Sequence, residues 1–528
     1  MIWLAALALA GDSEKCAQCH AKIYRSYQAT GMAQSSGQPG AGAFTERFDR
    51  AEFTSPAGAA QYRVSRQNAV ISFDFSEGEI KGRRTLDYFV GSGAVGRSYL
   101  SSIDGFLFEA PVSYYSSNAR WNLSPGYERT ESVNLVREIE TGCLNCHATD
   151  IQAIPGTVNR YRPRPFLEPG VGCGRCHGAG EEHISRMKTG KLKGGSGIVN
   201  PAKLEHAQRD SICAQCHLPG AVVIARPDRD RGYQPGDRLD ASTAVYVWEG
   251  ANGETTVNGH FEQLARSACW RGSAGKLWCG SCHDPHTVVT ERDKPAFYRA
   301  RCQVCHDPPS CLAPRPSRAN AQDNCIGCHM TWTPARTVQH AAFTDHSIQR
   351  RPRPPTGLTV PKDAALVAFP GFHSTERDLG LAYASVALRD GDRTWGMRAF
   401  ELLRKVNNES PGDARVSSQL AQLLDRMGRE EEACDIYARV VAADPAQTAA
   451  LVNFGSCLAN RGKLDESMRL WKSAFDRRPG LTSAWINLAV AQQRTGDAAG
   501  ALATLKAGLR YNPVSRRALD LLREMEGH

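Results

Sequence analysis

Apolar and polar positions alternate in the first third of the chain. Tyr62, Val64, Ile71, Phe73 and Phe75 are interleaved with polar residues on either side of Asn68 and Ala69. A period of two about a turn predicts paired strands. Phe106, Phe108, Val112 and Tyr114 predict a second hairpin over 106–115, and Gly91-Ser92-Gly93 and Ser124-Pro125-Gly126 mark turns. Residues 40–140 therefore read as a β-rich insert. The last third changes period. Pro411, Pro445, Pro479 and Pro513 are spaced by 34 residues, as are Gly428, Gly462 and Gly496, then Leu420, Phe454 and Leu488, then Ala433, Ser467 and Ala501. Such a period predicts helix–turn–helix units with glycine at the turn, stacked because no unit can bury its apolar face alone. Three full units run from 411 to 512, a degenerate one starts near 375, and a final helix follows Pro513. Residues 351–374 are proline-rich and predict a linker. Residues 1–10 form a short apolar run ending Ala8-Leu9-Ala10, which predicts a signal peptide, short or truncated. No other stretch has 18 uncharged apolar residues, so no transmembrane segment is expected.

The 18 cysteines change this picture. Fourteen of them fall in seven Cys-x-x-Cys-His pentads. These are Cys16/Cys19/His20, Cys143/Cys146/His147, Cys173/Cys176/His177, Cys213/Cys216/His217, Cys279/Cys282/His283, Cys302/Cys305/His306 and Cys325/Cys328/His329. Two thiols at this spacing form thioethers with the two vinyl groups of a haem, and the adjacent histidine reaches the iron. A zinc knuckle or a redox dithiol could explain one pentad but not seven. The expected cofactor is therefore haem c, seven copies, covalently held. The chain length of 528 residues suggests two to four domains. The hydrophobic fraction of 41% is low for that length, as it would be where porphyrins serve as core. The formal charge is +9. Two propionates per haem would more than offset it, so no nucleic-acid partner is expected, and part of the basic excess should pair with propionates.

Eight of the 15 histidines lie outside the pentads. His183, His260, His286, His340 and His346 lie among the motifs and are candidate sixth ligands, as is Met32, twelve residues after His20. His183 follows His177 too closely to bind the same iron and should serve a neighbouring haem. His206 and His373 stay outside this set, and His528 is the C-terminal residue. Cys269 and Cys311 are expected to form a disulfide, which an exported chain permits. Cys434 and Cys457 are expected as small buried residues within the repeat helices.

Three stretches carry a family resemblance: CHGAGEEH at 176–183, CGSCHDPH at 279–286, and CHMTWTPARTVQHAAFTDH at 328–346. They resemble multihaem cytochromes c of the tetrahaem hydroxylamine-oxidoreductase electron-acceptor type. The C-terminal period has the signature of tetratricopeptide repeats, and the fusion resembles a set of exported bacterial proteins. The resemblance implies closely paired haems whose coordination is completed by histidines from neighbouring motifs. It implies ligand roles for His183, His286, His340 and His346. The seven motifs, the β-rich insert and the repeat tail depart from the tetrahaem pattern, so ligand pairing does not carry over haem by haem.

The expected fold is mainly α: a heptahaem cytochrome domain over 11–350 with the β-rich insert at 40–140, the linker at 351–374, and an α-solenoid over 375–528. The expected function is electron transfer through a chain of haems in a periplasmic or otherwise extracytoplasmic protein. The repeats would dock a redox partner protein. The alternative is a multihaem oxidoreductase acting on a small nitrogen or sulfur compound at one open-site haem, with Arg97, Tyr99 or Tyr127 lining a pocket. No pentad carries lysine in place of histidine, as related nitrite reductases do, and no catalytic residue is assigned. A scaffold with purely structural haems is a third reading.

Overall fold

The computed structural model describes residues 12–527 except 41–43, 57, 129, 131, 191–195, 228–231, 252, 254, 257–258, 308–310, 332–343, 352–359 and 361–362. The expected leader at 1–10 and the candidate ligand His340 lie outside the described residues. The described residues form two compact units. One joins those up to Ala33 with Val171–Ala382, and the other joins Gln34–Gly170 with the chain from Tyr383 onward.

The second unit contains the repeats and most of the strands. Helix pairs run Ala414–Arg426 with Glu430–Ala443, Thr448–Asn460 with Leu464–Arg477, and Thr482–Arg494 with Ala498–Leu509. Arg516–Glu526 follows, and Arg393–Glu409 precedes them. Gly428, Gly462 and Gly496 all have φ between +75° and +87°. A side chain is strained there, which is why the period carries glycine at each turn. Asp392, Asp413 and Asp497 cap three of the helices by accepting backbone N–H bonds. Cys434 and Cys457 correct the sequence reading: they form a disulfide, with Cα atoms 5.9 Å apart. Each lies on the face its helix turns toward the other, a relation visible only once the helices are stacked.

Two antiparallel sheets build the rest of this unit's core. Glu52–Thr54, Ala60–Gln67, Val70–Glu77 and Ile80–Thr85 form one. Ser36–Gly37, Tyr88–Val90, Gly96–Ile103, Phe106–Tyr115 and Arg120–Leu123 form the other. Tyr62, Val64, Phe73 and Phe75 of the first meet Tyr99, Val112, Tyr114 and Trp121 of the second in one apolar cluster. The expected hairpin about Asn68 is present, with Val64 opposite Phe73 and Asn68 at φ +55°. The expected hairpin over 106–115 is instead one continuous strand, buried along nearly its whole length. Its apolar run is not a turn signal but the mark of two covered faces. Leu107 packs with Leu100, Ile139 and Tyr161, while Phe106 and Phe108 meet Phe475 and Tyr511 from the repeats.

Charge pairing ties the same edge of the repeats to the strands. Arg478 donates to both oxygens of Glu138 at 3.0 and 2.8 Å. Arg510 and Tyr511 both donate to Asp104, at 3.0 and 2.7 Å. Arg516 pairs with the buried Glu77 at 2.7 Å. Gly480 allows the repeat backbone to come close: a Cβ there would sit 3.0 Å from the Phe108 ring and 2.7 Å from the Glu138 carboxylate.

The first unit is built from short helices around a three-stranded antiparallel sheet, Val222–Ala225, Thr243–Glu249 and Ala365–Ala368. The last strand lies inside the expected linker. Its residues ALVA are apolar enough to pair with Thr243–Glu249, so that part of 351–374 is a structural element. Ala214, Leu218, Val245, Val247, Phe261 and Phe369 cluster against this sheet. Cys269 and Cys311 are both free, contrary to the expected disulfide. Cys269 lies instead near Cys282 and Cys302, close enough to affect both thiols electrostatically.

Candidate functional site

The pentads sit on helical turns. Helix Asp12–Gln28 spans the first pentad, beginning before it rather than after it, and Gly174–His177, Cys279–Cys282 and Cys325–His329 coincide with others. His206–His217 ends on one pentad and Lys294–Cys302 leads into another. The backbone N–H of His177, His283 and His306 donates to the carbonyl of Cys173, Cys279 and Cys302 at 3.0, 2.9 and 3.0 Å. One turn thus brings both thiols and the imidazole to one side, since residues three and four apart share a helix face. Among the described residues no three metal-binding side chains converge on a bare ion, as a zinc reading of the pentads would require.

The fourteen thiols are not equivalent, although the pentad pattern treats them alike. None of them is in a disulfide. Cys19, Cys305 and Cys328, each the second thiol of its pentad, are exposed, and Cys146 and Cys216 are half-buried. The fold does not enclose these five expected attachment points, and their thioether role rests on the motif spacing rather than on a contact. The local backbone accounts for part of this. Thr141–Asn145 stops before Cys146, and Lys294–Cys302 stops before Cys305, so each of these thiols lies beyond the end of its helix. Cys146 stays close enough to Cys143, and Cys305 to Cys282, to act on the neighbouring thiol electrostatically.

The pentad histidines face other histidines across a gap of constant width. His20 and His183 have ring centroids 6.3 Å apart and planes at 19°. His177 and His286 stand 6.0 Å apart at 17°. His283 and His346 stand 6.2 Å apart at 28°, and His217 and His260 5.8 Å apart at 51°. A metal–imidazole bond of about 2 Å on each side puts two trans ring centres roughly 6 Å apart. The four gaps therefore fit an iron between each pair, and the residues present fit haem c. His260 and His346 also touch, at 4.6 Å, which sets two of the pairs side by side. The thiols of Cys213 and Cys279 hydrogen-bond, which brings the attachment points of the fourth and fifth pentads together.

These rings are oriented from behind. The Nδ1 atoms of His177, His183, His329 and His346 lie 2.9, 2.8, 2.9 and 2.9 Å from the carbonyls of Val199, Ser196, Gln349 and Thr344. His283 Nδ1 lies 3.3 Å from the Tyr298 hydroxyl, and His286 Nδ1 lies 3.2 Å from Asp284 Oδ1. An N–H at Nδ1 held by such an acceptor leaves Nε2 bare for a metal. Burial also keeps several of these rings neutral. It pushes His260 down to about 3 and His283 down to about 4, with the neighbouring histidines adding to the effect. His177, His217 and His346 are lowered for the same first reason. A neutral imidazole is the form that ligates.

Four of the sequence-derived distal candidates, His183, His260, His286 and His346, are thus brought against pentad histidines. Met32 is not brought to His20, where His183 stands. His206 is held by Asp210 at 2.9 Å and packs on Trp270. The backbone of His373 is bonded to Arg226 and Asp240. His147 belongs to the other unit, on the turn between Thr141–Asn145 and the strand Ala148–Ala153. Arg97, Tyr99 and Tyr127 do not line a pocket. Arg97 is buried, bonded to Glu46 and sandwiched between Phe44 and Phe89, with Tyr99 donating to the same carboxylate at 2.8 Å. Tyr127 donates to the Glu109 carbonyl in the sheet core. Sequence reasoning missed the Nδ1 acceptors. Backbone carbonyls leave no sequence signal, whereas Asp284, two residues before His286, could have been read from an Asx-type turn.

Two families match parts of the chain. The family described as cytochrome c554 and c-prime matches residues 115–178, and the tetratricopeptide repeat family matches residues 398–454. The first match marks a c-type cytochrome segment and implies covalent haem c. The second implies protein–protein interaction. No curated protein matches the chain. Among solved structures the chain is similar to the MamA protein at 16% identity, over 29% of this chain and 83% of that one, with a TM-score of 0.25. It is similar to PilF of Pseudomonas aeruginosa at 21% identity, over 29% and 69%, with a TM-score of 0.26. YrrB, described as a TPR protein with an unusual peptide-binding site, is similar at 23% identity, over 27% and 73%, with a TM-score of 0.24. Among the described residues no helix is long and apolar enough to cross a membrane.

Proposed function

We propose that the protein is an exported multihaem c-type cytochrome that transfers electrons through seven covalently bound haems and uses its repeats to engage a redox partner protein. The observation that carries this reading is the set of four histidine pairs, each matching a pentad histidine to a non-pentad one at 5.8 to 6.3 Å. Bound haem c supplies a reversible one-electron iron couple whose potential the protein sets through ligands and hydrogen bonds. The cysteine pairs of the seven pentads hold the porphyrin edges, and the following histidines hold one axial position each. The exposure of Cys19, Cys305 and Cys328 leaves those thiols accessible to a haem vinyl group. His183, His260, His286 and His346 hold the opposite position for His20, His217, His177 and His283. The partners interlock. His183 lies just behind the third pentad, His286 just behind the fifth, and His346 behind the seventh, so each pair joins two motifs distant in sequence. The Cys434–Cys457 disulfide supports an oxidising, extracytoplasmic compartment.

Electron paramagnetic resonance of the oxidised holoprotein tests this. The reading predicts low-spin signals dominating the spectrum, with His183→Ala, His260→Ala and His346→Ala each replacing one low-spin signal by a high-spin one. A spectrum dominated by high-spin iron, or one unmoved by these substitutions, contradicts it.

A second reading, a multihaem oxidoreductase acting on a small nitrogen or sulfur compound at one open-site haem, is favoured by one observation. Gln34–Gly170, the part of its unit that carries the His147 pentad, contains no second histidine and no methionine. The open iron would then be the one held by His147. A high-spin signal in the wild-type protein that disappears on adding cyanide, and is absent from His147→Met, would shift the weight to catalysis.

A further inference from the structure

Six of the candidate iron ligands show an Nδ1 partner, and five of those partners are neutral: four backbone carbonyls and the Tyr298 phenol. The sixth is a carboxylate. Asp284 Oδ1 lies 3.2 Å from His286 Nδ1 and accepts the backbone N–H of the same residue at 2.9 Å. One oxygen therefore ties the ring to its own main chain and fixes its rotation.

We propose that Asp284 is a positioning residue that makes the haem held between His177 and His286 the hardest to reduce of the four in histidine pairs. The inference rests on the reading that this pair holds an iron. A ring N–H that donates to a carboxylate has a more basic, more electron-donating opposite nitrogen than one that donates to a carbonyl. Charge-assisted hydrogen bonds are also the stronger class. The negative charge and the stronger donor ligand both favour the ferric form, so both lower the potential. The other ring of the pair, His177, meets only the Val199 carbonyl and adds no opposing charge. Asp284 is the residue after His283, yet its hydrogen bonds go to His286, and His283 meets the neutral Tyr298 instead. The carboxylate is thus aimed at the haem of the third pentad although it lies in the fifth.

The test is a potentiometric titration of the holoprotein followed by electron paramagnetic resonance, with wild type, Asp284→Asn, Asp284→Ala and His286→Ala. His286→Ala identifies the haem by removing its low-spin signal. Asparagine keeps an oxygen for the turn and removes the charge. The expected result is an upward shift in the midpoint of that one signal in Asp284→Asn, at least as large in Asp284→Ala, and a smaller or no shift elsewhere. An unchanged midpoint in both aspartate variants, with the signal still present, overturns the role of Asp284 and leaves the pairing intact. If His286→Ala removes no low-spin signal, the pairing fails and the inference with it.

Discussion

A pentad histidine and its counterpart differ in how far the chemistry that defines them extends. His177 is recognisable because Cys173 and Cys176 lie within one helical turn of it. His286 becomes its partner only when the fifth pentad folds against the third, and no local pattern records that. The same limit applies to the carbonyls of Val199, Ser196 and Thr344, which act through the backbone. Burial of this cluster has a measurable consequence. His260 and His283 are held at about 3 and about 4, below the roughly 6.5 of a free histidine. The unfolded chain therefore binds protons that the folded site refuses. Stability from these groups is complete above about pH 6.5 and is lost as pH falls toward 4 and then 3. Acid titration followed by the low-spin absorbance bands should show ligation failing across that window. Bands unaffected down to pH 3 would contradict neutral, buried rings at these positions.

Among the elements, the repeat helices were the most legible, because a 34-residue period writes turn glycines and boundary prolines at fixed offsets. The strand Phe106–Tyr115 was legible in type but not in extent. Its second buried face is covered by Phe475 and Tyr511, far along the chain. The Glu138–Arg478 pair sits at this contact, with the Glu138 side chain only 9% exposed. Arg478→Ala leaves that carboxylate without its donor and should cost roughly 2 kcal/mol, read as a lower melting temperature of the strands and repeats together. A change confined to helical signal, with the strands melting as before, would argue that the contact does not couple them. The Cys434–Cys457 bond closes a separation of 23 residues, a loop for which cross-linking is worth about 3 kcal/mol in the chain-entropy account. Cys457→Ala or a mild reductant should lower the melting temperature of the repeats, while the thioether-attached haems stay in place.

For the whole molecule, the two units cut across the order of the chain. The β-rich segment, which interrupts the run of pentads in sequence, folds with the C-terminal repeats, and six of the seven pentads fall in the other unit. Sequence order alone suggested a haem domain followed by an appended solenoid, because nothing local announces that Asp104, Glu138 and Glu77 await arginines from the tail. Truncation after residue 382 should therefore expose Phe106 and Phe108 and destabilise the strands around the His147 pentad, with limited proteolysis cutting first within 34–170. Equal resistance to proteolysis in the truncated and full chains would show that the strands stand alone. The claim on which all of this rests is that every pentad carries a covalent haem, the exposed thiols of Cys19, Cys305 and Cys328 included. Intact-mass spectrometry of the denatured holoprotein tests it most directly, because thioether-bound haem survives unfolding. The account predicts the mass of one chain plus seven haems, stepping down by one haem with each Cys-to-Ser pair removed. A mass with fewer haems, or the bare chain mass after unfolding, would contradict it.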